Sequence, residues 1–107
     1  MTAEHLTALR ALEKNVAAGV GTTMGFEDAG FDGWAELAYH GSLDAAKALH
    51  DAVLPGWWFA IQPTGANVGS LVPHDGSLSM AANDNPARAW LLAIILALIW
   101  QEENRHD

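Results

Sequence analysis

The sequence predicts a small α/β (α+β) domain: a layered fold in which a three-stranded, mainly antiparallel sheet packs with two to three helices. Three observations predict it. Apolar residues recur at helical spacing in two stretches, Leu6, Leu9, Leu12 and Val16, then Leu43, Ala46, Leu49 and Val53. Short β-prone runs between Trp57 and Ala81 are separated by Pro- and Gly-containing turns. Asn83-Asp84-Asn85-Pro86 is a helix-start signal, a polar cap followed by proline at the first helical position, and it opens a long apolar stretch.

The chain of 107 residues is read as a single domain over 1–107, large enough for one core. Half of it is apolar and 17% is charged, so it lies outside the disordered regime. A formal charge of −8, from thirteen acids against five Lys and Arg, argues against direct nucleic-acid binding, which needs a basic footprint to displace counterions. The acids are scattered, with nothing longer than Glu27-Asp28 or Glu102-Glu103, so they do not form the dense row of a DNA mimic. With no cysteine there is neither a disulfide nor a thiolate zinc site, which suits a reducing compartment. The N-terminus has no basic region leading into an apolar one, so no secretion signal is expected, and the location expected is cytoplasmic.

In chain order, Thr2 caps a first helix running to about Ala18, and Gly19 stops it. The next stretch, 19–33, holds five glycines in fifteen positions and reads as a long loop with Met24, Phe26 and Phe31 as anchors. Trp34 to Tyr39 fits either a short helical turn or an extended lead-in. Ser42 is the N-cap of the next helix, with Asp44 in its first turn and Lys47, His50 and Asp51 largely outside its apolar stripe. Leu54-Pro55-Gly56 ends that helix, because the residue before proline is pushed out of helical geometry.

A strand follows over Trp57 to Gln62, with Trp57, Phe59 and Ile61 on the face better suited to the core and Trp58, Ala60 and Gln62 on the other. Pro63-Thr64-Gly65 turns the chain into a second strand, Asn67 to Val72, as a hairpin, and Ser77 to Ala81 supplies a third. The last helix runs from Ala87 to about Gln101 and is apolar nearly all round. Its uninterrupted apolar run, Ala89 to Trp100, is twelve residues, short of the roughly twenty needed to cross a bilayer. Such a helix either lies centrally between its neighbours or buries its outer side against a second subunit, making a homodimer through the C-terminal helix. The tail 102–107 is polar and expected to fray.

Two phrases are more specific than this. YHGSLDAAKALHDAVLPGWWFAI (Tyr39 to Ile61) and AANDNPARAWLLAIILALI (Ala81 to Ile99) together resemble a family of small phage- and prophage-encoded proteins with an α–β–α ("ABA") sandwich-type domain. The resemblance covers about the last two-thirds of the chain. It implies a small sheet layered with helices and a viral or prophage origin, and it supplies no catalytic residues. The Gly-rich stretch before Trp34 departs from the family pattern, as do Ile95 and Ile99, where relatives are expected to be more polar.

Signals for chemistry are thin. The Gly19, Gly21 and Gly25 spacing follows a helix rather than a strand, and no phosphate-loop lysine comes after it. His40, Asp44, His50, His74 and Asp75 are the residues a metal or an acid–base pair would draw on, but surface or capping roles fit them better. No serine is paired with an activating base at sequence level. The expectation is therefore a non-enzymatic protein with no metal, cofactor or catalytic site. Its five tryptophans point to docking: Trp34, Trp58, Ile95, Ile99 and Trp100 are the candidate interface residues. Together with the family resemblance, this reads as a phage or prophage accessory protein that binds a host or phage protein, for example as an inhibitor of a host-defence factor such as an anti-CRISPR. The alternatives are a small-ligand or nucleotide-sequestering protein, with Arg10, Lys47 or Arg88 turned into an indole-lined pocket, and a self-assembling structural protein.

Overall fold

A computed structural model describes residues 3–17, 33–69 and 78–103. Of the glycine-rich loop expected over 19–33, residues 19–32 lie outside the described residues, as do Thr2, His74, Asp75 and the extreme C-terminus, while Gly33 opens a helix. Among the described residues four helices and three strands follow in the order α1 (Ala3–Ala17), α2 (Gly33–Tyr39), α3 (Leu43–Val53), β1 (Trp58–Gln62), β2 (Gly65–Gly69), β3 (Leu78–Ala82) and α4 (Pro86–Glu103). The α+β class predicted from the sequence is the class observed. The ambiguous stretch from Trp34 to Tyr39 is helical.

The sheet is antiparallel throughout, in the order β1-β2-β3. Pro63 and Thr64 alone form the β1–β2 loop, with Gln62 opposite Gly65. The second strand therefore begins two residues before the position the sequence suggested. Paired residues point to the same face, so Phe59, Ile61, Ala66, Val68 and Ala81 share one side and Trp58, Ala60, Asn67, Gly69 and Met80 the other.

The first of these faces is covered by α4, which crosses mainly β2 and β3 and only touches β1. Helices α1, α2 and α3 pack on the far side of α4. The helix is thus enclosed between the sheet and three other helices, which explains why an all-round apolar sequence folds here: Leu91, Ala93, Ile94, Ile95 and Ala97 have no exposed surface. Among the described residues every helix lies on one side of the sheet. Among these residues the layers run sheet, α4, remaining helices.

The chemistry of each element's ends is local. Asn85 caps α4, its side-chain oxygen accepting from the N–H groups of Ala87 at 3.0 Å and Arg88 at 3.2 Å. Ser42 caps α3 in the same way through the Ala45 N–H, at 3.1 Å. At the other end of α3, the Trp57 N–H donates to the Leu54 carbonyl at 3.1 Å across Pro55-Gly56, and Gly56 has φ +83°. Proline second and a positive-φ glycine third make this a type II turn, which swings the chain from helix into strand. Gly41, at φ +111°, bends the α2–α3 junction close against Asn85, joining that junction to the start of α4. Arg88 completes the joint: its Nε–H donates to the Tyr39 carbonyl at 3.0 Å and its guanidinium sits 4.1 Å from the centre of the Tyr39 ring.

Two expectations for α4 are corrected by this packing. Ile95 is fully enclosed and Ile99 is 9% exposed, so neither is available to a partner on the surface of the folded chain. The reason for expecting a second subunit along α4 was apolar surface left uncovered, and the chain's own sheet and helices cover it.

Candidate protein-docking face

The side of the sheet away from α4 is the candidate site. Its centre is Trp58, 38% exposed, with Met80 on β3 at 64%. Ala60, Gln62, Gly65, Asn67 and Ala82 fill the rest, and none of these residues carries a charge, although the chain as a whole stands at −8. Glycines shape the face. At Gly69 the Trp58 indole occupies the place a side chain would take, since a Cβ there would stand 2.4 Å from the indole Cζ2. Gly65, beside Met80 and Asn67, leaves a shallow hollow of about 420 Å³. The indole at one end of β1 and the hollow at the other lie on one uncharged patch of an acidic molecule, an aromatic anchor on a face without charge as protein interfaces have.

The opposite face of β1 is tied down by a group the sequence hid. His50, expected outside the apolar stripe of α3, is 1% exposed. The Trp90 indole N–H donates to its Nδ1 at 3.2 Å, and its Nε2 lies 2.9 Å from the Trp57 carbonyl oxygen. An indole N–H can only donate and a carbonyl can only accept. The imidazole therefore holds its proton on Nε2 and gives it to Trp57, joining α4, α3 and the start of β1. Phe59 packs edge-on to His50 and 4.6 Å from the Trp90 ring centre, yet remains 39% exposed because α4 scarcely reaches β1. The signal in the sequence was faint: an apolar helix flank beside His50, and one buried indole in need of an acceptor.

The remaining candidates scatter. Trp100 is partly buried near the end of α4. The Trp34 side chain lies outside the described residues, although its backbone is in α2. His40 and Asp44 are exposed at the α2–α3 junction and the first turn of α3, while both nitrogens of His50 are committed elsewhere. Among the described residues no three His, Asp or Glu side chains gather as a metal would require. The three cations weighed as ligand contacts are engaged within the chain: Arg10 pairs with Glu103, Lys47 with Asp51 on the surface of α3, and Arg88 with Tyr39. A cleft of about 640 Å³ opens beside the start of α4, where Thr64, Asn83, Asp84, Asn85 and Arg88 supply polar groups, and no indole lines it. No helix among the described residues is long and apolar enough to cross a membrane.

Comparison with known proteins returns no match: no family model fits the chain, and neither a search of the curated proteins nor one of the solved structures finds a similar one.

Proposed function

We propose that this chain is a non-enzymatic accessory protein of phage or prophage type that acts in the host cytoplasm by binding another protein through the open face of its sheet. The observation that carries the binding reading is the uncharged surface around Trp58 and Met80, the large exposed apolar side chains on that face. The phage assignment rests on the two-phrase resemblance, and the partner it suggests is a host protein, with a host-defence factor the leading case. The engaged histidine and the scattered acids favour binding over catalysis.

The test is affinity capture from host-cell lysate with the wild-type chain, a Trp58→Ala, Met80→Lys double variant and a Leu43→Lys variant. Leu43 is exposed on α3, away from the sheet face. A captured protein that binds purified wild-type chain directly, binds Leu43→Lys equally and is lost with the double variant supports the reading. Capture that ignores the double variant removes the sheet face as the docking surface.

A further inference from the structure

We infer that the outer edge of β1 is a second interaction surface, and that the partner it fits is another copy of this chain, joined antiparallel strand to strand. Among the described residues the order is β1-β2-β3, and β1 has a neighbour on one side only. The two-residue loop makes Gln62 and Gly65 a hydrogen-bonded pair. By alternation, Trp58, Ala60 and Gln62 bond to β2, and the N–H and C=O groups of Phe59 and Ile61 point outward. Among the described residues nothing takes those groups; the outward carbonyl that is occupied belongs to Trp57, just before the strand, and His50 holds it.

Proteins ordinarily guard such an edge with a charge, a proline or a bulge. β1 reads Trp-Phe-Ala-Ile-Gln and has none of these, and each of its five residues keeps some exposure. An unguarded edge calls for an extended strand, and the pattern of this one selects its own copy. In an antiparallel register centred on Ala60, Phe59 and Ile61 of one chain exchange hydrogen bonds with Ile61 and Phe59 of the other, so every outward group is used. The pairs so formed are apolar on the helix side, Phe59 with Ile61. At the symmetry axis Ala60 meets Ala60, two methyl groups at the close spacing of a non-hydrogen-bonded pair, about 4.5 Å between Cα atoms.

Charge agrees with this choice. Two chains of −8 repel least where the contact itself adds no close pair of like charges and salt screens the rest, and β1 carries no charge. Next to it, Lys47 lies 5.8 Å from the Phe59 ring centre and is paired with Asp51, so the charges nearest the edge cancel. This pairing is independent of the docking face proposed above: it uses the backbone edge of β1, and the other uses the side chains that stand on the sheet.

Sedimentation equilibrium over a range of concentrations tests it. The wild-type mass is expected to rise from 11.4 kDa toward twice that value. Ala60→Lys, which sets two ammonium groups against each other across the axis, is expected to stay at the monomer mass, and mixing it with Ala60→Glu to restore the dimer. Met80→Lys, on the same face but on β3, is expected to dimerise like wild type. The chain has no cysteine, so any disulfide in an Ala60→Cys variant joins two chains. Mild oxidation is expected to give covalent dimer from Ala60→Cys and none from Met80→Cys, a readout that stands even where the lysine variant fails to fold. A wild-type chain that stays at 11.4 kDa at millimolar concentration overturns the proposal, as does equal dissociation by Met80→Lys, which would mean sheets stacked face to face.

Discussion

The Trp58 indole lies over Gly69, its cross-strand partner, with Cζ2, Cε2 and Nε1 all within 2.6 Å of where a Cβ would be. The absence of a side chain on β2 thus fixes how the tryptophan of β1 presents itself. Gly69→Ala is expected to push the indole aside while leaving the fold intact. Relief of the glycine's entropy cost, about 0.5–1 kcal/mol, offsets much of the clash with a mobile ring. The check is the indole N–H resonance of Trp58, identified by its loss in Trp58→Phe. An unmoved resonance in Gly69→Ala would show that the ring does not rest there.

His50 links α3, α4 and the start of β1, so removing it is expected to cost far more than its apparent place on a helix flank suggests. His50→Ala leaves a cavity and strands both the Trp90 N–H and the Trp57 carbonyl, a loss of about 3–5 kcal/mol. Chemical denaturation measures this. The nitrogen shifts of the imidazole supply a second check, since the neutral ring must show its proton on Nε2; a proton on Nδ1 contradicts the geometry.

Ile95 separates the two explanations of the apolar last helix. Enclosed as it is, Ile95→Lys buries an unpaired charge and is expected to unfold the chain. Ile95→Ala should cost about 2–5 kcal/mol and leave a native fold. Circular dichroism with thermal melting distinguishes these from the interface case, in which Ile95→Lys would remain folded and change only the mass.

The two positive-φ glycines make a graded pair. Gly56→Ala meets no atom within 4 Å and should cost only the backbone strain, about 1–2 kcal/mol. Gly41→Ala adds a 3.1 Å approach to Asn85 Nδ2, next to the oxygen that caps α4, and is expected to cost more. Matched denaturation curves decide it: equal losses would mean that the α2–α3 junction does not bear on the α4 cap.

Asn85→Ala removes that cap itself, and a loss of about 1 kcal/mol is expected. Asn85→Asp should recover most of it, because a carboxylate also accepts from the Ala87 and Arg88 N–H groups and suits the positive end of the helix. Thermal melts of the three proteins test the order.

What the sequence determined by itself is local. Ser42 and Asn85 as caps, Pro55-Gly56 as the exit from α3, and the three short strands were legible because each depends on the conformational limits of a few adjacent residues. Apolar spacing likewise marked the inner side of α1 and, through Ala46 and Leu49, that of α3, although Leu43 of the expected stripe is 44% exposed. Tertiary structure decided which surfaces remain. The composition of α4 says that it must be covered on all sides and cannot say by what; the sheet and three helices cover it, so Ile95 and Ile99 left the list of exposed residues. Placing every described helix on one side of the sheet is what kept Trp58 open. His50 gave only a faint local sign of burial, because its two partners, Trp90 and the Trp57 carbonyl, reach it only when α3, α4 and β1 meet.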